Sequence, residues 1–256
     1  MYRWNGRSSI YAIVALLLGM IATYWFYQSK YNEVQQRSLA VFEKEAELRA
    51  QDIEAEFKRS FFQVASVGNL FSSSSWVDHQ EFIYFVERVF PEFPEGRRVS
   101  IVNYLDTDDI GQFIQKMQQN PEADLKNFHV FDFIKGEKLV PANIQGNKAL
   151  ILGYTYPETA GISFYGRNIT EKSPIYPKLL PVLTSGEAYT TDLTAPIVPI
   201  TLKPFFLYLY PIIKLNDNNQ KQLIGIVTSS QYIVDVFNLN LIEAQKDKFD
   251  YVVEDN

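Results

Sequence analysis

The 256-residue chain contains no cysteine, so a disulfide framework, a thiolate metal site and a cysteine nucleophile are all excluded. It has only two histidines, His79 and His129, too few for a histidine-built metal centre, and each reads as an ordinary surface or core residue. A basic excess is also missing. The 24 Lys and Arg are outnumbered by 30 Asp and Glu, a net charge of −6, which argues against a nucleic-acid partner because a phosphate backbone calls for a basic stripe. No GxSxG, HExxH or Walker loop occurs, so no motif marks an enzyme, and neither a metal nor a cofactor is expected. The conspicuous acids have plain uses. Asp108 and Asp109 sit at a helix start, where carboxylates complement free N–H groups, and Glu43, Glu45 and Glu47 belong to the solvated face of a long helix.

One segment lacks charge altogether. Residues 9–27, SIYAIVALLLGMIATYWFY, span roughly 28 Å as a helix, about the thickness of a bilayer's hydrocarbon core. Arg3 and Arg7 precede it, so the positive-inside tendency puts residues 1–8 in the cytoplasm and the bulk of the chain outside. A cleaved signal peptide would need small residues where Tyr24 to Tyr27 stand, so the run reads as an uncleaved anchor in the cell's inner membrane, with the remainder periplasmic. The chain as a whole is 46% hydrophobic and 15% aromatic, so the remainder is read as a folded body rather than a disordered tail.

Residues 28–75 are read as a stalk helix. Proline is absent from Gln28 to Phe71, and glycine is absent before Gly68. Ala50, Ile53, Phe57, Val64, Val67 and Phe71 keep helical spacing, with Ser60 in the one polar slot. Leu39, Phe42 and Ala46 extend the stripe through a step to Ala50 that resembles a stutter. The second half is expected to pack on the body. The first half, with Leu39, Phe42, Ala46 and Ile53, is expected to meet a second copy in a homodimer. Gly68 and Ser72 to Ser75 are taken to end the helix.

The pattern then becomes mixed. A helix is predicted after Trp76, closed by Pro91, then a strand at 97–105 and a helix from Thr107. Strands follow at 128–134 and 149–158, a helix over 169–186 despite Pro174, Pro177 and Pro181, and strands at 188–200, 204–215 and 223–230. A helix at 231–245 and a strand at 249–255 close the chain. The fold class is therefore α+β: a membrane helix running into a long stalk, then antiparallel strands with short helices. Ending on a core-type strand, the body is expected to continue in a longer polypeptide.

Four segments in order, EFIYFVERVFPEFPEGRRVSIVNYLDTDDIGQFIQ, ALILGYTYPETAGISFYGRN, LTSGEAYTTDLTAPIVP with PFFLYLYPII, and LIGIVTSSQYIVDVFN, resemble the CHASE family of extracytoplasmic sensor domains. The resemblance covers about Arg49 to Asn256. It implies two PAS-like modules after the stalk, here a membrane-distal ligand-binding one at 76–215 and the start of a membrane-proximal one at 216–256. It also implies a second membrane span and a cytoplasmic output domain, such as a histidine kinase or a cyclic-di-GMP enzyme, neither of which lies in these residues.

In such a module the ligand lies between the sheet and its covering helices, taking alternate residues of the central strands. The resemblance places Thr194 at the family's Leu-Thr/Ser-x-Pro hydroxyl position. Tyr154 and Tyr156 share one strand face, and so do Phe206, Tyr208 and Tyr210; their rings would cover a planar or apolar ligand and their hydroxyls would bond it. Tyr104 would close the same cavity. The stretch Gly161-Ile162-Ser163-Phe164 carries no carboxylate where cytokinin-binding members have one, so an adenine-type ligand is not implied. The expected partner is a small molecule or a periplasmic binding protein. A double-Cache-type sensor is the alternative within the class, although no binding aspartate motif is seen, and a membrane-anchored scaffold is the alternative outside it.

Overall fold

The computed structural model describes residues 6–91, 93, 97–134, 138–144, 146–157, 165–192, 204–216 and 218–238. The fold is α+β: one long, initially apolar helix followed by an antiparallel sheet and a few short helices. The chain divides into two compact units, Met1–Glu54 and Ala55–Asn256.

Helix α1 is Gly6–Ser73. In the first unit its side chains are almost all exposed, including Ile10, Leu17, Trp25 and Phe26, and by length and composition this stretch could cross a membrane. Leu39, Phe42 and Ala46 are exposed as well, and Ile53 is half-buried. In the second unit α1 changes character. Ser60, Val64 and Val67 are fully buried at the predicted spacing, with Phe57, Phe61, Leu70 and Phe71 packed around them. Gly68 does not end the helix. A Cβ there would lie 2.4 Å from Cδ1 of Tyr210, so the glycine is what lets α1 lie directly on a strand.

The second unit continues with α2 (His79–Val89), capped by the Asp78 carboxylate, which accepts from the Glu81 N–H, and stopped just before Pro91. Strand β1 (Arg98–Asp106) leads through a short 3₁₀ turn (Thr107–Asp109) into α3 (Ile110–Gln118) and α4 (Ala123–Lys126). A small hairpin of β2 (Phe131–Ile134) and β3 (Lys138–Pro141) follows; β3 falls where only a polar turn was expected. Then come β4 (Lys148–Tyr156), α5 (Tyr176–Ser185), β5 (Tyr189–Thr190), β6 (Phe205–Leu215), β7 (Lys221–Tyr232) and α6 (Ile233–Asn238).

The predicted 169–186 helix is thus shorter at its start. Helical structure begins only where Pro177 falls in the first turn, which needs no N–H bond, and it ends at Gly186, whose φ of +68° closes the C-cap onto the Val182 carbonyl. The expected boundary at 215/216 falls in the turn of the β6–β7 hairpin. Because β7 pairs with both β6 and β1, the chain as far as Tyr232 belongs to one sheet. Thr194, the Gly161 to Phe164 stretch, most of the expected strand at 188–200, the expected strand at 249–255 and the helix beyond Asn238 lie outside the described residues.

The sheet order is β4-β1-β7-β6-β5, antiparallel throughout. Strand alternation gives it two apolar faces. Val99, Ile101, Tyr154, Tyr208 and Val227 face Val64, Val67, Phe82 and Val86 of α1 and α2. Val102, Leu150, Leu207, Leu209 and Ile226 face Leu179 and Val182 of α5.

Candidate functional site

The register sets one row of residues across the sheet. Tyr156 of β4 pairs with Val99 of β1, Val99 with Ser229 of β7, and Ser229 with Tyr208 of β6. Tyr154, Phe206 and Tyr210 lie two residues from members of this row and share its face. Five of the expected ligand residues are therefore brought to the helix-covered face. Tyr104 is not. It stands five residues from Val99, an odd number, so it packs with Val102 and Leu150 on the opposite face, with Lys148 Nζ 5.3 Å from its ring centre.

Most of the expected hydroxyls are committed to the fold. Tyr154 donates to the Val77 carbonyl at 3.1 Å, Tyr156 to the Glu87 carboxylate at 2.9 Å and Tyr210 to Asn69 Oδ1 at 3.4 Å. Each ties the sheet to α1 or to α2 and its entry. Burial pushes the Tyr154 hydroxyl well above its usual range, and donation to the Glu87 carboxylate raises that of Tyr156.

Around Tyr154 lies a connected polar network. The His79 N–H donates to Asn120 Oδ1 at 3.1 Å, and Asn120 Nδ2 donates to the Met117 carbonyl at 3.0 Å and to the Tyr154 hydroxyl at 3.5 Å. His79 Nδ1 meets the Glu122 carboxylate, and Nε2 lies 3.0 Å from the Tyr165 hydroxyl, which lies 3.3 Å from the Thr155 carbonyl. Tyr165 has one proton. If it goes to Thr155, Nε2 of His79 is the donor to the Tyr165 hydroxyl, while Nδ1 faces the Glu122 carboxyl group.

The other end of the same face is also polar but differs in kind. Arg97, one residue before β1 and beyond the Arg98–Ser230 pair, comes beside Gln231. Ser229 and Gln231 follow on β7, Tyr208 faces Ser229, and Phe206 faces Gln231. From α1, Phe57 sets its ring 5.3 Å from Phe206, while Glu56 and Ser60 come from the neighbouring positions. Arg97 is 2% exposed, Tyr208 1%, and Ser229 and Gln231 0%. Yet Arg97 Nε and Nη2, Ser229 Oγ and both amide atoms of Gln231 have no hydrogen-bond partner among the described residues. The Tyr208 hydroxyl is near Ser60 without a bond of good geometry. Groups buried in this way are nearly always partnered, because leaving one unpartnered costs about 1–3 kcal/mol.

The electrostatics follow from burial. Desolvation lowers the Arg97 guanidinium to about 10, against the opposing pull of Tyr208, Glu56 and Asp235. Burial also raises the Tyr208 hydroxyl, with Arg97 and Ser60 working against the rise. Glu56 is engaged elsewhere: Arg59 Nε lies 3.4 Å from one oxygen and Ser60 donates to the other at 3.4 Å. The guanidinium stacks on Phe90, 4.6 Å from the ring centre. Arg97, Glu56, Ser229 and Gln231 were not expected from the sequence. The only available signal was polar residues at inward positions of strands and a helix otherwise apolar there. Neither a protein-family model nor a curated protein matches the chain.

Proposed function

We propose that this chain is the extracytoplasmic sensory part of a membrane-anchored receptor, holding a PAS-like module on a helix that begins in the bilayer. The observation that carries this reading is the division within α1: apolar residues are exposed from Ile10 to Tyr27, and residues from Phe57 to Phe71 pack into the core of an antiparallel sheet. An exposed apolar run of that length calls for lipid around it. The PAS-like reading draws support from the five-stranded antiparallel sheet, whose first and last strands, β1 and β7, are central neighbours. It draws further support from the polar cluster under the covering helix. Among sensor families, CHASE is the one whose segment order the chain resembles. A ligand acts in this scheme only by favouring one arrangement of the helix over another. Exposed Leu39 and Phe42 are the proposed contact with a second copy. A partner-binding scaffold is the second reading, favoured by the commitment of Tyr154, Tyr156 and Tyr210 to the fold.

Topology reporters test the placement. Alkaline phosphatase fused after Asn256 is expected to be active and a fluorescent protein at the same point dark, with the chain in the membrane fraction. The reverse pattern overturns the reading.

A further inference from the structure

We infer that Arg97, Tyr208, Ser229 and Gln231, beneath α1, form a binding site for a small monocarboxylate that carries a further hydroxyl or keto oxygen. The inference deepens the sensory reading by naming a ligand class, and it rests on that reading only for the purpose of binding.

The unpartnered atoms of Arg97 specify the chemistry. Nε and Nη2 form one edge of the guanidinium, two parallel N–H donors at the spacing of a carboxylate's two oxygens. Phe90 under the plane keeps that edge oriented. The guanidinium has no ion-pair partner among the described residues, since the Glu56 oxygens are held by Arg59 and Ser60. Charge sets the second limit. Glu56 and Asp235 act on Arg97 as negative neighbours against one positive neighbour, Arg59, so the charge around the guanidinium is net negative and a second negative charge on the ligand is opposed. A monoanion therefore fits better than a phosphate or a dicarboxylate. The Gln231 amide and the Ser229 hydroxyl, each without a partner among the described residues, would serve an additional oxygen on the ligand, which favours hydroxy and keto acids over aliphatic acids. With all four side chains 98% buried or more, the ligand must be small. It would touch the α1 face that carries Glu56 and Ser60, and so would join helix to sheet.

The test titrates the full chain in detergent micelles with lactate, pyruvate and acetate, and with lactamide, succinate and phosphate as comparators, read by calorimetry and thermal shift. Lactate or pyruvate is expected to bind saturably, at least tenfold more tightly than lactamide, succinate or phosphate. Arg97→Lys keeps the charge but loses the two-donor edge, so affinity should fall tenfold or more. Three results overturn the inference: no saturable binding of lactate, pyruvate or acetate; equal binding of lactamide; or an unchanged affinity in Arg97→Lys. Should that variant not fold, Gln231→Met removes the amide at similar length and is expected to weaken binding about tenfold, and an unchanged affinity there overturns the inference equally. The topology fusions need no ligand. A flat titration with a periplasmic reporter signal sinks the site alone, whereas saturable binding with a cytoplasmic signal sinks the anchored-sensor reading alone.

Discussion

Replacing Gly68 by alanine sets two effects of opposite sign against each other, and the structure decides between them. Inside an exposed helix the change would stabilise by about 0.5–1 kcal/mol, because glycine loses more backbone entropy on folding. Here the new methyl would lie 2.4 Å from Cδ1 and 2.9 Å from Cε1 of Tyr210. These atoms belong to a ring, not to the free end of a flexible chain. The ring is also held from two sides, by the hydrogen bond to Asn69 and by the Phe61 ring 6.2 Å away. Overpacking of this kind costs about 1–3 kcal/mol, so the clash wins and the net loss is about 1–2 kcal/mol. For a body of this size that lowers Tm by about 2–8 °C. Gly111 of α3 is the control: nothing lies within 4 Å of its would-be Cβ, so Gly111→Ala should raise Tm slightly. Thermal melts by differential scanning calorimetry measure both. Adding Tyr210→Leu to Gly68→Ala should recover part of the loss, a non-additivity confined to residues in contact. If Gly68→Ala melts higher than the parent, as Gly111→Ala should, α1 does not lie on β6 and the described packing is refuted.

Phe82 is fully buried, with its ring 5.5 Å from Tyr154 and 6.1 Å from Phe71, so Phe82→Ala should lose about 3–5 kcal/mol in a urea titration, and a loss below about 1 kcal/mol would contradict this core. Burial raises the Tyr154 and Tyr208 hydroxyls, so the folded chain keeps these protons where the unfolded chain, near its ordinary 10.0, gives them up. Their contribution is full below pH ~10 and is lost as pH rises beyond it, so alkaline unfolding should begin later in Tyr154→Phe/Tyr208→Phe, and an unchanged onset would count against their burial. Since the chain has no cysteine, Phe42→Cys gives a single thiol, which should form a disulfide-linked dimer in membranes, while Lys44→Cys on the other side of α1 should not; equal cross-linking at both would remove the proposed dimer stripe.

The elements were legible where one rule governed them. Alternation in β4 and β6 predicted that Tyr154 and Tyr156, and Phe206, Tyr208 and Tyr210, each share a face, and they do. The helical spacing from Phe57 to Phe71 likewise marked the buried side of α1. Legibility failed where partners came from distant chain. Nothing near Tyr154 announces that the Val77 carbonyl, 77 residues away, accepts its hydrogen bond. Tyr104 was assigned by strand and not by parity, and parity turns it to the other face. Gly68 looks like a stop in a single helix and becomes a close-approach point only once β6 is beside it. Strand β3, Lys138–Pro141, is too short to show a period.

The two polar ends of the helix-covered face differ in what they leave open, and of the expected residues Tyr208 and Phe206 stand at the end that holds Arg97. At the Tyr154 end every group described has a partner. Such a network gives the core a unique arrangement and leaves nothing to offer a ligand. At the Tyr208 end the same helix and sheet enclose a guanidinium edge, an amide and a hydroxyl that bond to nothing described. Folding alone does not favour that. A buried ion replaced by an apolar side chain of similar volume is often neutral or stabilising, so Arg97 opposes the fold that holds it. The strain is local and specific: one flat donor pair, stacked on Phe90, with its nearest carboxylate held by other residues. A planar monoanion arriving there satisfies the donors the fold leaves open and rests on both α1 and the sheet. Binding energy at this end is thereby coupled to how firmly the helix is seated.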